Sequence, residues 1–284
     1  MIPRNSLPAV TAKNYFDPEI EMAFMGSTQI KNFMHCEAAE LARLRGEYQT
    51  PKSTAMLVGS YVDAHFEGTL DVFRAQHPEL FKRDGTLKAE FVQANEIIDR
   101  MERDELYMLL MSGRKQKIFV GEIAGVPIKI KIDSLLDADA CMEIVRKFPA
   151  AQEALGLCAG AIVDQKVMRS LDDVWSEEDR QRVSWWKAWR YDVQGAIYQA
   201  VEGHYLPFIL AAGTKDGDIR AVYLPDTVLT AALAEVEDLL PGFQAVKEGR
   251  RPPTRCGNCP YCRATRTLTS IESGEDQDGE EISI

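Results

Sequence analysis

The sequence lacks any apolar run long enough to cross a bilayer, so an integral helical membrane protein is not expected. Its opening, MIPRNSLPAVTAKNYFDPEIE, has no charged n-region followed by an apolar h-region. No secretory leader is therefore expected, and the expected compartment is cytoplasmic. Internal repeats are absent, as is any NTP-binding glycine loop, which argues against a built-in motor. Basic residues are in deficit: 33 Lys and Arg face 44 Asp and Glu, a net charge of -11. That balance weighs against a nucleic-acid partner, because phosphate binding favours a basic surface. The distribution softens the objection. After Arg266 the chain adds Glu272, Glu275, Asp276, Asp278, Glu280 and Glu281 with no base, the pattern of a disordered acidic tail.

What is present is the composition of an ordinary globule, 45% hydrophobic and 27% charged over 284 residues. That length allows one large domain, or one domain with a small appendage. Ile30, Phe33, Met34, Leu41 and Leu44 recur at helical spacing, predicting a helix over 28–45 with Ser27 as N-cap. Phe91, Ile97, Ile98, Met101, Leu106 and Leu110 predict one long helix or two abutting ones over 87–111. QKIFVGEI and VPIKIKIDSLL, joined by Ala124 and Gly125, read as a β-hairpin. Along its second strand Ile128, Ile130 and Ile132 point one way and Lys129, Lys131 and Asp133 the other. A helical segment at 139–157 precedes AIVDQKVM, a strand with Asp164 and Lys166 on one face and Gln165 pointing away. A helix over 185–205, a strand pair at 207–213 and 218–223, and a helix over 227–246 follow. The fold class is thus α/β, a mixed central sheet flanked by helices.

Hydrolysis of a phosphodiester needs a nucleophilic water, neutralisation of the phosphate and help for the leaving oxygen, all of which carboxylate-held divalent cations supply. Magnesium takes a few acid oxygens and keeps some of its waters. An Asp on one strand followed by Asp-x-Lys on a later one, here Asp133, Asp164 and Lys166, can hold it with an amine beside the water. Alone, D-x-K also reads as a solvated strand face with an ion pair. A helix with Tyr191, Gln194 and Tyr198 on one stripe adds polar groups. Trp185, Trp186 and Trp189 read as core, and Lys215 as a surface lysine able to reach phosphate. Cys256, Cys259 and Cys262 at two-residue gaps signal a metal, because cytosolic cysteines stay reduced and a tight turn lets their thiolates converge.

In this order the segments GSTQIKNFMHC, GSYVDAHFEG, GEIAGVPIKIKID, VDQKV, YDVQGAIYQ and RCGNCPYC resemble the RecB-like and RecE-like branch of the PD-(D/E)xK nucleases. The resemblance is closest to a phage-encoded exodeoxyribonuclease group. It implies Asp133, Asp164 and Lys166 as the catalytic centre, with Gln194 and Tyr198 orienting DNA and the active-site groups. It implies magnesium or manganese on Asp133 and Asp164, with Asp63 or His65 from a helix and Glu122 from the first hairpin strand as further ligands. It implies a nuclease core at 26–250, after an extension at 1–25 and before a cysteine segment at 251–266 and a tail at 267–284. Related nucleases bind an iron-sulfur cluster through one early and three late cysteines, so Cys36, Cys256, Cys259 and Cys262 are expected to hold [4Fe-4S]. Structural zinc on the same four is the alternative. The implied activity is exonuclease action on linear double-stranded DNA ends, feeding a single-strand annealing protein, by an enzyme able to form a homo-oligomer. Two other readings stay open: a nuclease of CRISPR spacer acquisition or of a helicase complex, and a non-catalytic DNA-binding module.

Overall fold

The computed structural model describes residues 7–49, 53–177 and 180–268. Its first half runs through α1 (Pro18–Ala23), α2 (Ser27–His35), α3 (Glu37–Leu44), α4 (Thr54–Phe66), α5 (Leu70–Gln76), α6 (Ala89–Glu102) and α7 (Glu105–Leu110). Next come β1 (Arg114–Ile123), β2 (Val126–Asp137), α8 (Ala138–Lys147), α9 (Gln152–Leu155), β3 (Gly160–Met168), β4 (Val174–Ser176) and β5 (Gln181–Val183). The chain continues as α10 (Trp185–Ala188), α11 (Tyr191–Glu202), β6 (Phe208–Thr214), β7 (Ile219–Leu224), α12 (Asp226–Lys247) and α13 (Pro260–Ala264). Most of the expected acidic tail lies outside the described residues.

The β1–β2 connection is a two-residue turn with φ of 49° at Ala124 and 77° at Gly125. Positive φ at both positions gives the turn the twist its strands require. The sheet order is β1-β2-β3-β6-β7, antiparallel except for the parallel β3–β6 pair. Both faces are covered, so alternate side chains of one strand enter different cores. Phe208, Leu210 and Ala212 join Ile128, Ile130 and Ile132 beneath α2, α11 and α12. Ile209 and Ala211 join Val163, Ala161 and the apolar faces of α4, α6 and α8. Each fully buried aliphatic or Phe side chain contributes roughly 1.5–3 kcal/mol.

The helix expected over 28–45 is two helices, because Cys36 sits between them in extended backbone at φ -164°. Ser27 is inside α2, whose N-cap is Gly26. The segment expected at 87–111 is the abutting pair α6 and α7, whose junction Asp104 caps by accepting from Tyr107 N at 2.9 Å. The helix expected over 185–205 is also divided, at Arg190, which has a left-handed φ of 52°. The polar face of β2 is not a solvated one: Lys129 is buried, donating to Tyr15 O and Glu21 Oε1. Tyr15 and α1 of the N-terminal extension thus pack onto β2. Among the described residues no helix is long and apolar enough to cross a membrane.

Candidate active site and cysteine site

The site is built where two strands part. β2 and β3 pair only between Ser134–Asp137 and Gly160–Val163. Beyond that point β3 keeps its parallel partner β6 as far as Met168 but leaves β2. A backbone N–H at such a fork needs a new acceptor. Asp133 supplies it: Oδ2 accepts from Gln165 N at 3.0 Å. The acid of one strand is thereby tied to the residue between Asp164 and Lys166 of the other.

The even-numbered residues of β3 face α11. Gln194 Nε2 donates to Asp164 Oδ1 at 2.6 Å, and Lys166 pairs with Asp164 Oδ2. Lys31 of α2 reaches Gln194 Oε1 at 3.5 Å. Lys31 and Lys166 lie 4.9 and 5.0 Å from the centre of the Tyr191 ring, both within cation–π range. Tyr198 donates to Lys131 O at 3.1 Å, so it holds the strand two residues before Asp133 and makes no hydrogen bond to Asp133 or Asp164.

The odd-numbered side meets α4. Gln165 Nε2 donates to Asp63 Oδ1 at 3.2 Å, and Gln116 Nε2 lies 3.4 Å from Asp133 Oδ1. Asp63, Glu67, Gln116, Asp133 and Gln165 line a cavity of about 10 Å³, the size of one water. His65 is not brought to this group; it pairs with Glu102 at 2.8 Å. Glu122 is not either. It stands opposite Pro127 near the hairpin turn, six residues along β1 from Gln116, which is ~20 Å of strand. Lys215 is exposed in the turn after β6.

Electrostatics mark the cluster as short of positive charge. Burial raises the Asp133 carboxyl to about 6, with the Asp164 charge adding to it. Burial, then Asp133, lifts Asp63 well above the usual carboxylate range. Burial pulls the Lys166 ammonium down, yet Asp164 and Asp133 outweigh it and the net shift is upward. Lys31 falls to about 8 through burial and then the charge of Lys166. Gln116 Oε1 and Gln165 Oε1 are buried with no hydrogen-bond partner among the described residues. Carboxylates crowded together beside unpaired amide oxygens are a hard-donor set that fits magnesium or manganese. Lys31, Glu67 and Gln116 were not named from the sequence, and Gln165 was placed only as pointing away from Asp164 and Lys166. Only Glu67 carried a signal, since it lies one helical turn beyond Asp63.

The second site joins chain segments more than two hundred residues apart. The Sγ atoms of Cys36, Cys256, Cys259 and Cys262 all lie within 4.8 Å of one another. Cys36 Sγ is 3.6 Å from Cys262 Sγ, and Cys256 Sγ is 4.0 Å from it. The Cys259 N–H donates to Cys256 Sγ at 3.3 Å and the Cys262 N–H to Cys259 Sγ at 3.4 Å. The backbone N–H groups of Cys259 and Asn258 lower the Cys256 thiol to about 6, favouring the thiolate that binds metal. Cys141 and Cys158 belong to neither site: Cys141 is fully buried, and Cys158 donates to Leu155 O at 3.2 Å.

The family described as a PDDEXK-like domain of unknown function (DUF3799) matches residues 26–144 and 154–265. A crystal structure from Eubacterium rectale, described as a "Putative exonuclease", is 39% identical. The match covers 94% of this chain and 97% of that one, with a TM-score of 0.81. No curated protein matches. A forked mixed sheet bearing Asp133 and Asp164-x-Lys166, a family match over most of the chain and a near-complete structural match lead to one conclusion: the chain belongs to the PDDEXK-like family, within the PD-(D/E)xK nuclease superfamily.

Proposed function

We propose that the protein is a magnesium-dependent DNA exonuclease that hydrolyses phosphodiester bonds at the ends of linear duplexes. The observation that carries the reading is the fork, where the Asp133 carboxylate holds Gln165 N while Asp164 and Lys166 lie side by side on the adjoining strand. Asp133, Asp164 and Asp63 would hold the cation, which supplies charge neutralisation and an activated water. Lys166 adds a fixed positive charge and N–H donors beside that position. Gln194 holds Asp164, and Lys31 holds Gln194. A module that only bound phosphate would gain nothing from buried acids, which repel an anion unless a cation sits between them. Resemblance to phage recombination nucleases supports an end-resection task that exposes single strand for an annealing protein, with a homo-oligomer as the working form.

For the four-cysteine site we assign one tetrahedral ion, zinc. A zinc–sulfur bond of about 2.3 Å places tetrahedral thiolates ~3.8 Å apart, close to the 3.6 and 4.0 Å separations. A cubane puts each thiolate on a different iron and so holds them farther apart. The [4Fe-4S] cluster implied by the resemblance is the alternative occupant of the same four thiolates.

The test is incubation of the purified protein with end-labelled linear DNA, with and without magnesium, beside Asp133→Ala and Lys166→Ala. Magnesium-dependent release of label, lost in both variants, is expected. Release without metal, or unchanged in the variants, sinks the mechanism.

A further inference from the structure

The lysines around the acid pocket have polar partners, with one exception. Lys166 pairs with Asp164, Lys31 donates to Gln194, Lys115 donates to the Met111 carbonyl, and Lys129 pairs with Glu21. The exception is Lys131. Its side chain is half-buried and its carbonyl is held by Tyr198, yet among the described residues its ammonium has neither an ion pair nor a hydrogen bond. What holds it is a pair of rings. Lys131 Nζ lies 5.3 Å from the centre of the Phe16 ring and 5.7 Å from that of Tyr15, both within cation–π range. The two rings pack edge to face with centres 5.0 Å apart. Tyr15 is buried, which anchors this wall, whereas Phe16 is 71% exposed. The ammonium is thus fixed in place with its charge uncompensated.

No acid is placed to neutralise it. Lys131 stands opposite Ile118 in the hairpin, and β3 pairs with β2 only from Ser134 onward. Glu21 is taken by Lys129 and Arg43, and Asp17 and Glu19 form no ion pair among the described residues. Asp133 shares the strand face of Lys131 two residues on, about 6.6–6.8 Å along β2, without an ion pair between them. A cation held so close to the acid that would carry the metal fits an anion brought by the substrate. The scissile phosphate already has Lys166 and the metal at the fork. Two residues of strand are comparable in length to one nucleotide of backbone, so the group that meets Lys131 is the neighbouring phosphate.

We infer that Lys131, cradled by Tyr15 and Phe16, binds the substrate phosphate next to the one that enters the acid pocket. The inference rests on the nuclease reading and adds to it a phosphate contact outside the metal centre. It also makes the segment before α1 a wall of the substrate site, where Tyr15 and Phe16 act by positioning Lys131.

The test titrates the full-length protein with a labelled linear duplex, with calcium in place of magnesium, over a range of potassium chloride. Lys131→Met is expected to raise the Kd about eightfold at about 0.1 M salt and little at about 1 M, so that the slope of log Kd on log salt falls by about 0.9, the share of one phosphate. Lys131→Gln repeats the test, and melting curves of both variants exclude a folding defect. Lys131→Arg, which keeps the charge, should stay within about threefold. Phe16→Ala should raise the Kd about two- to fivefold, the worth of one exposed cation–π contact, and Phe16→Tyr should restore it. In magnesium, the kcat/KM loss of Lys131→Met should be several-fold larger on DNA than on bis(p-nitrophenyl) phosphate, which has no neighbouring phosphate. Kd and salt slope unchanged in both neutral variants overturn the contact. Equal losses on DNA and on the small diester overturn it too, since Lys131 would then act on the acids. A protein that binds no duplex in calcium overturns both this contact and the nuclease reading. DNA held through Lys131 by a protein that cleaves none with any divalent metal would instead sink the nuclease reading and leave the phosphate contact standing.

Discussion

Asp63 and His65 are two residues apart on α4, about 200° around the helix, so only one of them can face the fork. Asp63 meets Gln165, whereas His65 meets Glu102. Asp63→Ala is therefore expected to lower magnesium-dependent cleavage by roughly tenfold or more, and His65→Ala to leave it within about twofold, in single-turnover assays on labelled DNA. Gln194→Ala releases Asp164 from its 2.6 Å hydrogen bond and should cost about 10- to 100-fold in metal affinity or rate. At this scale the acids on the strands were legible, because strand alternation alone puts Asp164 and Lys166 on one face. The amides were not. Gln116 reaches Asp133 through a backbone φ of 52° that nothing in the local sequence announces. Lys31 lies between apolar helix positions and declares itself only once α11 is packed beside it. The tryptophans show the same limit: Trp185 is core as expected, but Trp189, only four residues on, is mostly exposed.

α11 approaches the sheet closely because Gly195 has no side chain: a Cβ there would lie 2.6 Å from Phe208 Cδ1 and 3.0 Å from Leu229 Cδ2. Gly195→Ala should destabilise the fold by about 1–3 kcal/mol in urea melts, and by displacing neighbouring Gln194 should also weaken catalysis. α12 is pinned differently. Lys247 is buried and donates to Phe24 O and Gln29 Oε1, both at 2.8 Å, two acceptors that suit the two N–H bonds of a neutral amine. Burial lowers its folded pKa to about 7 from an ordinary 10.5. A lowered folded pKa means folding expels a proton between pH 7 and pH 10.5, so this group's contribution rises with pH across that window and is level outside it. The stability gap between the wild type and Lys247→Met should therefore shift in favour of the wild type across that range, read from parallel urea titrations. The hairpin, β3, β6, β7 and α12 were readable from periodicity. The break at Cys36 was not, since the apolar positions on either side stay in helical phase. The burial of Lys129 was hidden too, because its cover comes from Tyr15 and Glu21, more than a hundred residues away.

On the scale of the whole molecule, the cysteine site joins α2, α3 and the C-terminal segment into a small third core of Cys36, Ala38, Cys259 and Cys262. Structural zinc in such sites contributes roughly 10 kcal/mol or more to local folding. Purified protein should hold about one zinc per chain by elemental analysis and show no visible absorption; a brown solution would assign the iron-sulfur cluster instead. Cys36→Ser, or prolonged chelation, should lower Tm by several degrees, whereas Cys158→Ser should not. Within α2, Lys31 stands at the acid pocket and His35 is the last residue, and Cys36 follows directly as the cysteine site begins. Only residues 32–35, ~6 Å of helical rise, separate the two. If those thiols hold an ion, cells starved of it would carry a chain whose acids are intact but whose α2 has lost its anchor at Cys36, so trace-element supply would bear on the acid pocket from a distance.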